Sequence, residues 1–364
     1  MEHFELEIVL PVSCSSEKYR TRLKGFQELG LLNLKDHKVL VTLLIGKEEE
    51  SQFLENWPNV TVRTFKSNSN HEASKVYTYF AQLTEDHVDT IDWLAKIDDD
   101  SANDIDSLLT NLRNHYVPGD RIYAVTRIMQ DIEHNERELL RRLGHHYFFA
   151  NGLNYVQHEH EGCVVSQSFL KDIVSNSDCM KLFAERAKIE KGFTDQCLGI
   201  AARMIKCHPV KAYFMSSNLG SEVSDPIWDI ALFGGFLSHY HPVSKDKNQF
   251  LYDLMFQLAN DNGLQKKNYQ LLSNKHFFYI VKNGNKHEYL KLRLNASRRL
   301  EPDSHRPEKI WFVSENKLIF LDDKHNSIMF EFGDLDVPHI CLIGNCSRNP
   351  NLKYVLCSNP LGGQ

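Results

Sequence analysis

The run KVLVTLLIG, residues 38–46, is apolar with almost no polar interruption. It is less than half the roughly 20 residues that a membrane-crossing helix needs, so it reads as a strand covered on both faces. A second run of the same kind, LEIVLPV (6–12), precedes it. Between them, SEKYRTRLKGFQELGLL sets Tyr19, Leu23, Phe26 and Leu29 at helical spacing, with Gly30 as a stop. Two doubly covered strands joined through a helix require a parallel sheet with crossover helices. The chain is thereby committed to the α/β class.

The same alternation continues. VTVRTF (60–65) is a strand, NHEASKVYTYFAQL (70–83) a helix and IDWLAKI (91–97) a buried strand. NDIDSLLTNLRNHY reads as a helix capped by Asn103, followed by the strand RIYAVTR (121–127). EGCVVSQSFLKDIV is a short strand turning into a helix. GFTDQCLGIAARMIKCHP is a helix with Thr194 as N-cap, an apolar face at Leu198, Ala201 and Ile205, and Pro209 as terminator. From residue 246 the texture changes: one amphipathic helix (Phe250, Leu254, Leu258) gives way to HFFYIVK, EYLKLRL, KIWFVS, KLIFLD, SIMFEFG, HICLIG and KYVLC. Turn signals such as NGNK, SEN and DDKHN separate several of these, the pattern of an antiparallel meander. The expected organisation is a domain over residues 1–245 and a helix plus β-rich module over 246–364.

Composition narrows the partners. The 364 residues are 42% hydrophobic and 25% charged with a net charge of −6, so nothing basic selects nucleic acid or an anionic membrane surface. Eight cysteines lack CxxC or zinc-like spacing and read as reduced thiols. No apolar run reaches about 18 residues, and the N-terminus lacks a basic segment ahead of an apolar one, so no transmembrane segment or signal peptide is expected and the location is cytoplasmic.

The strand ending in DWLAKI runs straight into Asp98-Asp99-Asp100. Carboxylates at the C-terminal end of an α/β strand lie where such sheets bind ligands, and hard oxygen donors suit Mg²⁺ or Mn²⁺. A solvated acidic loop capping the next helix is the structural alternative.

The stretch 73–101, ASKVYTYFAQLTEDHVDTIDWLAKIDDDS, resembles the core of the Fringe-like β-1,3-glycosyltransferases of the GT-A fold. Lys75 matches that family's lysine on the helix before the acidic strand, Trp93 its tryptophan five residues before the acids, and Asp98-Asp99-Asp100 its DxD-type motif. PVSCSSEKYRTRL resembles the first strand and arginine-bearing helix, with Pro11 and Arg20 at donor-binding positions. GCVVSQSFL resembles the glycine-led acceptor-side segment, TDQCLG the acidic signature with Asp195 on its second acid, and SHYHPVS the late His-x-His. The resemblance covers residues 5–245. It departs at Thr194, which replaces the first acid, and in lacking the luminal cysteine pattern and the membrane anchor.

The resemblance implies a metal-dependent inverting transferase with a nucleotide-sugar donor, UDP-linked, and a glycan or glycolipid acceptor. Asp98 and Asp100 would hold Mn²⁺ or Mg²⁺, with imidazole from His239 or His241 completing the shell; Asp99, with Pro11, Arg20 and Lys75, would meet the donor; Asp195 would be the base. Such an enzyme suits assembly of bacterial surface polysaccharide from cytosolic donors, and self-association is compatible with it. Two other classes stay open: a glycan-binding scaffold on a degenerate transferase fold, and a nucleotidyltransferase. QHEHE (157–161) could bind a metal but reads first as a loop lining the acceptor site or lying in solvent, GHHYFFANG (144–152) as a packed aromatic loop or a sugar-binding one, and ERELLRRL (136–143) as a salt-laced helix face. No GxSxG, Walker A or GxGxxG motif is present.

Overall fold

The computed structural model describes residues 2–13, 17–34, 37–47, 57, 59–126, 134–145, 162–190, 196–212, 214–217, 238–241, 249–264, 268, 271–273, 275–283, 286–295, 300–301, 308–314, 317–322, 327–333, 335, 340–347, 349 and 352–358. The chain divides into two compact units, Met1–Leu219 with Ser238–Tyr252, and Gly220–Leu237 with Asp253–Gln364. The first is mixed α/β around a sheet that is largely parallel; the second is built on a separate antiparallel sheet. Among the described residues, no helix is long and apolar enough to cross a membrane.

In the first unit β1 (Phe4–Pro11), α1 (Glu17–Gly25), β2 (Val39–Ile45), β3 (Thr61–Lys66), α2 (Glu72–Ala81), α3 (Glu85–Val88) and β4 (Ile91–Lys96) follow in turn. After them come β5 (Ala102–Asn103), α4 (Ile105–His115), β6 (Tyr123–Val125), α5 (His134–Arg142), β7 (Cys163–Ser166), α6 (Gln167–Ser175), α7 (Ser177–Arg186), α8 (Cys197–Met204), β8 (Val210–Lys211), β9 (Met215–Ser217) and β10 (His239–His241). Seven strands form one sheet in the order β3-β2-β1-β4-β7-β6-β8. The four from β3 to β4 are parallel; β7 runs antiparallel to both β4 and β6.

The unbroken apolar runs have a direct cause, since both faces of this sheet are buried. Val9, Leu40, Leu44 and Leu94 join Val76, Phe80 and Phe183 on one face. Leu6, Ile8, Leu10, Val41 and Leu43 join Leu23, Phe26, Leu108 and Leu112 on the other. A strand covered on both sides leaves no position for a polar residue to face water.

Helix α1 runs on through one π-helical turn, Phe26–Gly30, and stops at Gly30 as expected. The cap of α4 is Asp104, whose carboxylate accepts from Ser107 N–H at 3.1 Å, because Asn103 is drawn into strand β5 opposite His239. Helix α8 is described from Cys197, with Gln196 as N-cap and no side-chain cap bond; the expected cap Thr194 lies outside the described residues.

The second unit holds β11 (His276–Asn283), β12 (Lys286–Leu294), β13 (Leu300–Glu301), β14 (Glu308–Ser314), β15 (Lys317–Asp322), β16 (Ser327–Glu331), β17 (Cys341–Cys346) and β18 (Lys353–Ser358). They pair in the order β13-β12-β11-β18-β17-β16-β15-β14, and every neighbouring pair is antiparallel. Alternate residues share one interior, among them Phe277, Leu292, Trp311, Phe320, Phe330 and Leu356. Trp311 Nε1 donates to Asn295 O at 2.9 Å, which ties β14 to the end of β12.

Gly344 opposes Phe330 across β17 and β16, and a Cβ at Gly344 would lie 2.6 Å from the Phe330 ring. Gly344→Ala is therefore expected to cost about 1–3 kcal/mol through overpacking. Faster amide hydrogen exchange across β16, β17 and β18 reads it out; unchanged exchange would mean that the ring moves aside freely.

Candidate active site

Strands β1, β2 and β3 progress toward one edge, and β4 then returns to the other side of β1. The two crossovers cover opposite faces: Leu23 and Phe26 after β1 belong to one core, and Val76 and Phe80 of α2 to the other. In open α/β sheets a reversal of strand order marks the ligand site, beyond the carboxyl ends of the strands on either side, here β1 and β4. The residues there are Pro11 and Val12 at the end of β1, and Ile97 to Ser101 after β4.

The three carboxylates have cations of their own. Arg22 Nη1 donates to Asp99 Oδ1 at 2.9 Å and lies 3.8 Å from Asp100 Oδ2. Lys96 Nζ donates to Asp98 Oδ1 at 2.5 Å, and the Lys96 side chain is fully buried. Arg22, 6% exposed, also lies over the Tyr19 ring, 5.4 Å from its centre. Among the described ion pairs, Asp99 and Asp100 thus face Arg22 and Asp98 faces Lys96. Burial pushes the Asp99 carboxyl up to about 6, with the Arg22 guanidinium opposing the rise and Asp100 and Asp98 adding to it.

Other residues singled out in the sequence fall into place around this run. Pro11 is buried at the end of β1, opposite Leu44. Lys75 is buried on α2 and donates from Nζ to Val12 O at 2.6 Å, just beyond β1. Arg20 is exposed on α1, and Arg22 is the arginine of that helix that reaches the acids. Strand β10 pairs antiparallel with β5, His239 facing Asn103 and Tyr240 facing Ala102. Asp104 N–H also donates to Ser238 O at 2.9 Å, so the His-x-His strand lies directly alongside the segment that follows the acidic run.

The donor set suits a hard divalent cation. Mg²⁺-type sites are commonly built from one or two carboxylates completed by substrate phosphates, and Asp98 and Asp100 supply two. Ser101 Oγ is buried beside them with no hydrogen-bond partner among the described residues, an oxygen left over for a ligand. No group of three or more His, Cys, Asp or Glu side chains able to hold a metal ion occurs among the described residues.

Asp195 lies outside the described residues, as does almost all of QHEHE and GHHYFFANG. The flanks of residues 191–195 are described. Glu190 Oε1 accepts from Ser69 Oγ at 2.7 Å, just after β3, and Ile189 O accepts from Arg186 Nη1 at 2.9 Å. This anchors the chain at the edge where the parallel strands end. Gln196, 2% exposed, precedes α8 on the other flank.

Arg22 and Lys96 had readable signals. Arg22 is three residues after Tyr19 and four before Phe26, on the buried stripe of its helix, whereas Arg20 is off it. Lys96 and Asp98 are two apart on an extended chain and so point the same way.

No family model matches the chain, and no curated protein sequence matches it. Among solved structures, the chain is similar to the apo crystal structure of mouse xyloside xylosyltransferase 1, at 11% identity and a TM-score of 0.34 over 66% of this chain and 97% of that one. At that score the likeness carries no argument about activity.

Proposed function

We propose that this protein is a divalent-cation-dependent, inverting glycosyltransferase of the GT-A type, which moves a sugar from a nucleoside-diphosphate donor to a glycan or glycolipid hydroxyl. The observation that carries this reading is the position of Asp98-Asp99-Asp100 at the switch point of the sheet, where Arg22 and Lys96 pair with them. A bound Mn²⁺ or Mg²⁺ on Asp98 and Asp100 would offset the charge of the leaving diphosphate.

The chain's own residues have separate tasks. Arg22 holds the Asp99 carboxylate in a fixed direction, so that its second oxygen can accept from a donor-sugar hydroxyl. Lys75, tied to Val12 O, keeps α2 against the end of β1. Asp195 takes the proton of the acceptor hydroxyl as that oxygen bonds to the anomeric carbon. The nucleoside diphosphate leaves from the opposite face with the electrons of the broken bond, and the configuration inverts.

The test is thermal denaturation with UDP, with Mn²⁺ or Mg²⁺, and with both. Ligand and metal together are expected to raise the melting temperature, UDP in excess EDTA to leave it unchanged, and Asp100→Ala to lose the joint effect. Equal stabilisation by UDP in EDTA would sink the metal assignment. Release of pyrophosphate from a nucleoside triphosphate, without sugar transfer, would make the protein a nucleotidyltransferase instead.

A further inference from the structure

Strands β17 and β18 place Cys341 directly opposite Cys357. The flanking pair is Ile340 and Ser358, where Ser358 N–H donates to Ile340 O at 2.7 Å. In an antiparallel ladder, hydrogen-bonded and non-hydrogen-bonded pairs alternate, so Cys341 and Cys357 form a non-hydrogen-bonded pair. Such pairs bring Cα atoms to about 4.5 Å, inside the window of about 4.4–6.8 Å that a disulfide spans. The two side chains share the outer face, because their neighbours Leu342 and Leu356 point into the core. Both are thiols, Cys341 exposed and Cys357 half-buried. The four other cysteines described as free thiols, Cys163, Cys179, Cys197 and Cys207, are buried in the first unit, and none faces another in a described strand register.

We propose that Cys341 and Cys357 are a reversible disulfide site on the outer face of the antiparallel sheet, oxidised by low-molecular-weight disulfides. Cys341 Sγ, the exposed member, attacks one sulfur of the small disulfide as a thiolate and expels the other as a small thiolate. Cys357 then gives up its proton and attacks Cys341 Sγ, expelling the second small thiolate. Two cysteine thiols lose two electrons in all, one small disulfide is reduced to two thiols, and the protons pass to the leaving thiolates. Burial and the hydrogen bond with Cys341 push the Cys357 thiol up to about 11, so Cys357 keeps its proton until the mixed disulfide has formed. The product staples β17 to β18 without moving either strand. This site does not depend on the transferase reading.

The test equilibrates the reduced full-length chain with glutathione buffers of rising oxidised fraction, alkylates the remaining thiols and maps the peptides by mass spectrometry. The expected product is a Cys341–Cys357 cross-linked peptide, lighter by about 2 Da for the two hydrogens lost and reversed by dithiothreitol. Cys341→Ser is expected to abolish the cross-link and Cys346→Ser to leave it intact. Free, alkylatable thiols at both positions in the most oxidising buffer would overturn the proposal. So would arrest at the glutathione mixed disulfide, or a cross-link that uses Cys346.

Discussion

Replacing Asp195 with asparagine is expected to lower sugar transfer by about 10²–10⁴-fold, while metal-dependent UDP binding and the melting temperature hold. An inverting displacement needs one base, and asparagine keeps the shape of aspartate while giving up the ability to take a proton. The competing role for this acid, stabilising a helix through the dipole, is confined to the first turn. Helix α8 is described from Cys197, with Gln196 as its cap. Steady-state kinetics separate the two: loss of the base lowers kcat and leaves the KM for the donor near its starting value. A variant that keeps most of its turnover and melts slightly earlier would remove Asp195 from the mechanism. Glu159 and Glu161 of the QHEHE segment would then be the next bases to examine.

The largest effect on stability is expected at Glu7, which is fully buried in the middle of β1. Its Oε1 accepts from Arg63 Nη2 and from the Tyr79 hydroxyl, each at 2.7 Å, and also from Thr42 Oγ1. Its Oε2 lies 2.7 Å from His87 Nε2. Burial pushes the Glu7 carboxyl up, yet the His87 bond, the Arg63 charge and the Thr42 hydroxyl outweigh it, and the net shift is downward. Glu7→Ala leaves the buried Tyr79 and Thr42 hydroxyls without their acceptor and is expected to cost about 3–5 kcal/mol, as for other broken buried ion pairs.

The sign of the pH dependence follows from that lowered value. A carboxyl held below its ordinary 4.5 contributes stability that is fully present above 4.5 and lost as pH falls through the folded-state value. The stability gap between wild type and Glu7→Gln, measured by urea unfolding, is therefore expected to be widest at neutral pH and to narrow below pH 4.5. A gap that stays constant with pH would show that the ionised form contributes nothing.

What the sequence determined by itself is what local periodicity encodes. The doubly covered runs at 6–12 and 38–46 required a parallel sheet, and the alternating segments after residue 275 required an antiparallel one; both are present. The acidic run was visible as chemistry because it ends a buried strand. Its surroundings were decided only when distant segments met. Arg22 is 77 residues from Asp99 and reaches it because α1 packs over the face of the sheet beside β4. The His-x-His strand lies against residues 102 and 103 through a pairing that spans more than a hundred positions. Asn103 was taken from its expected cap by that same pairing, which left the role to Asp104. Cys341 and Cys357 are 16 apart in the chain and became neighbours only through the register of β17 on β18. Spacing along the chain reports which face a residue shares with its near neighbours. Charge compensation and strand partners depend on closures between remote segments, and no local pattern records those.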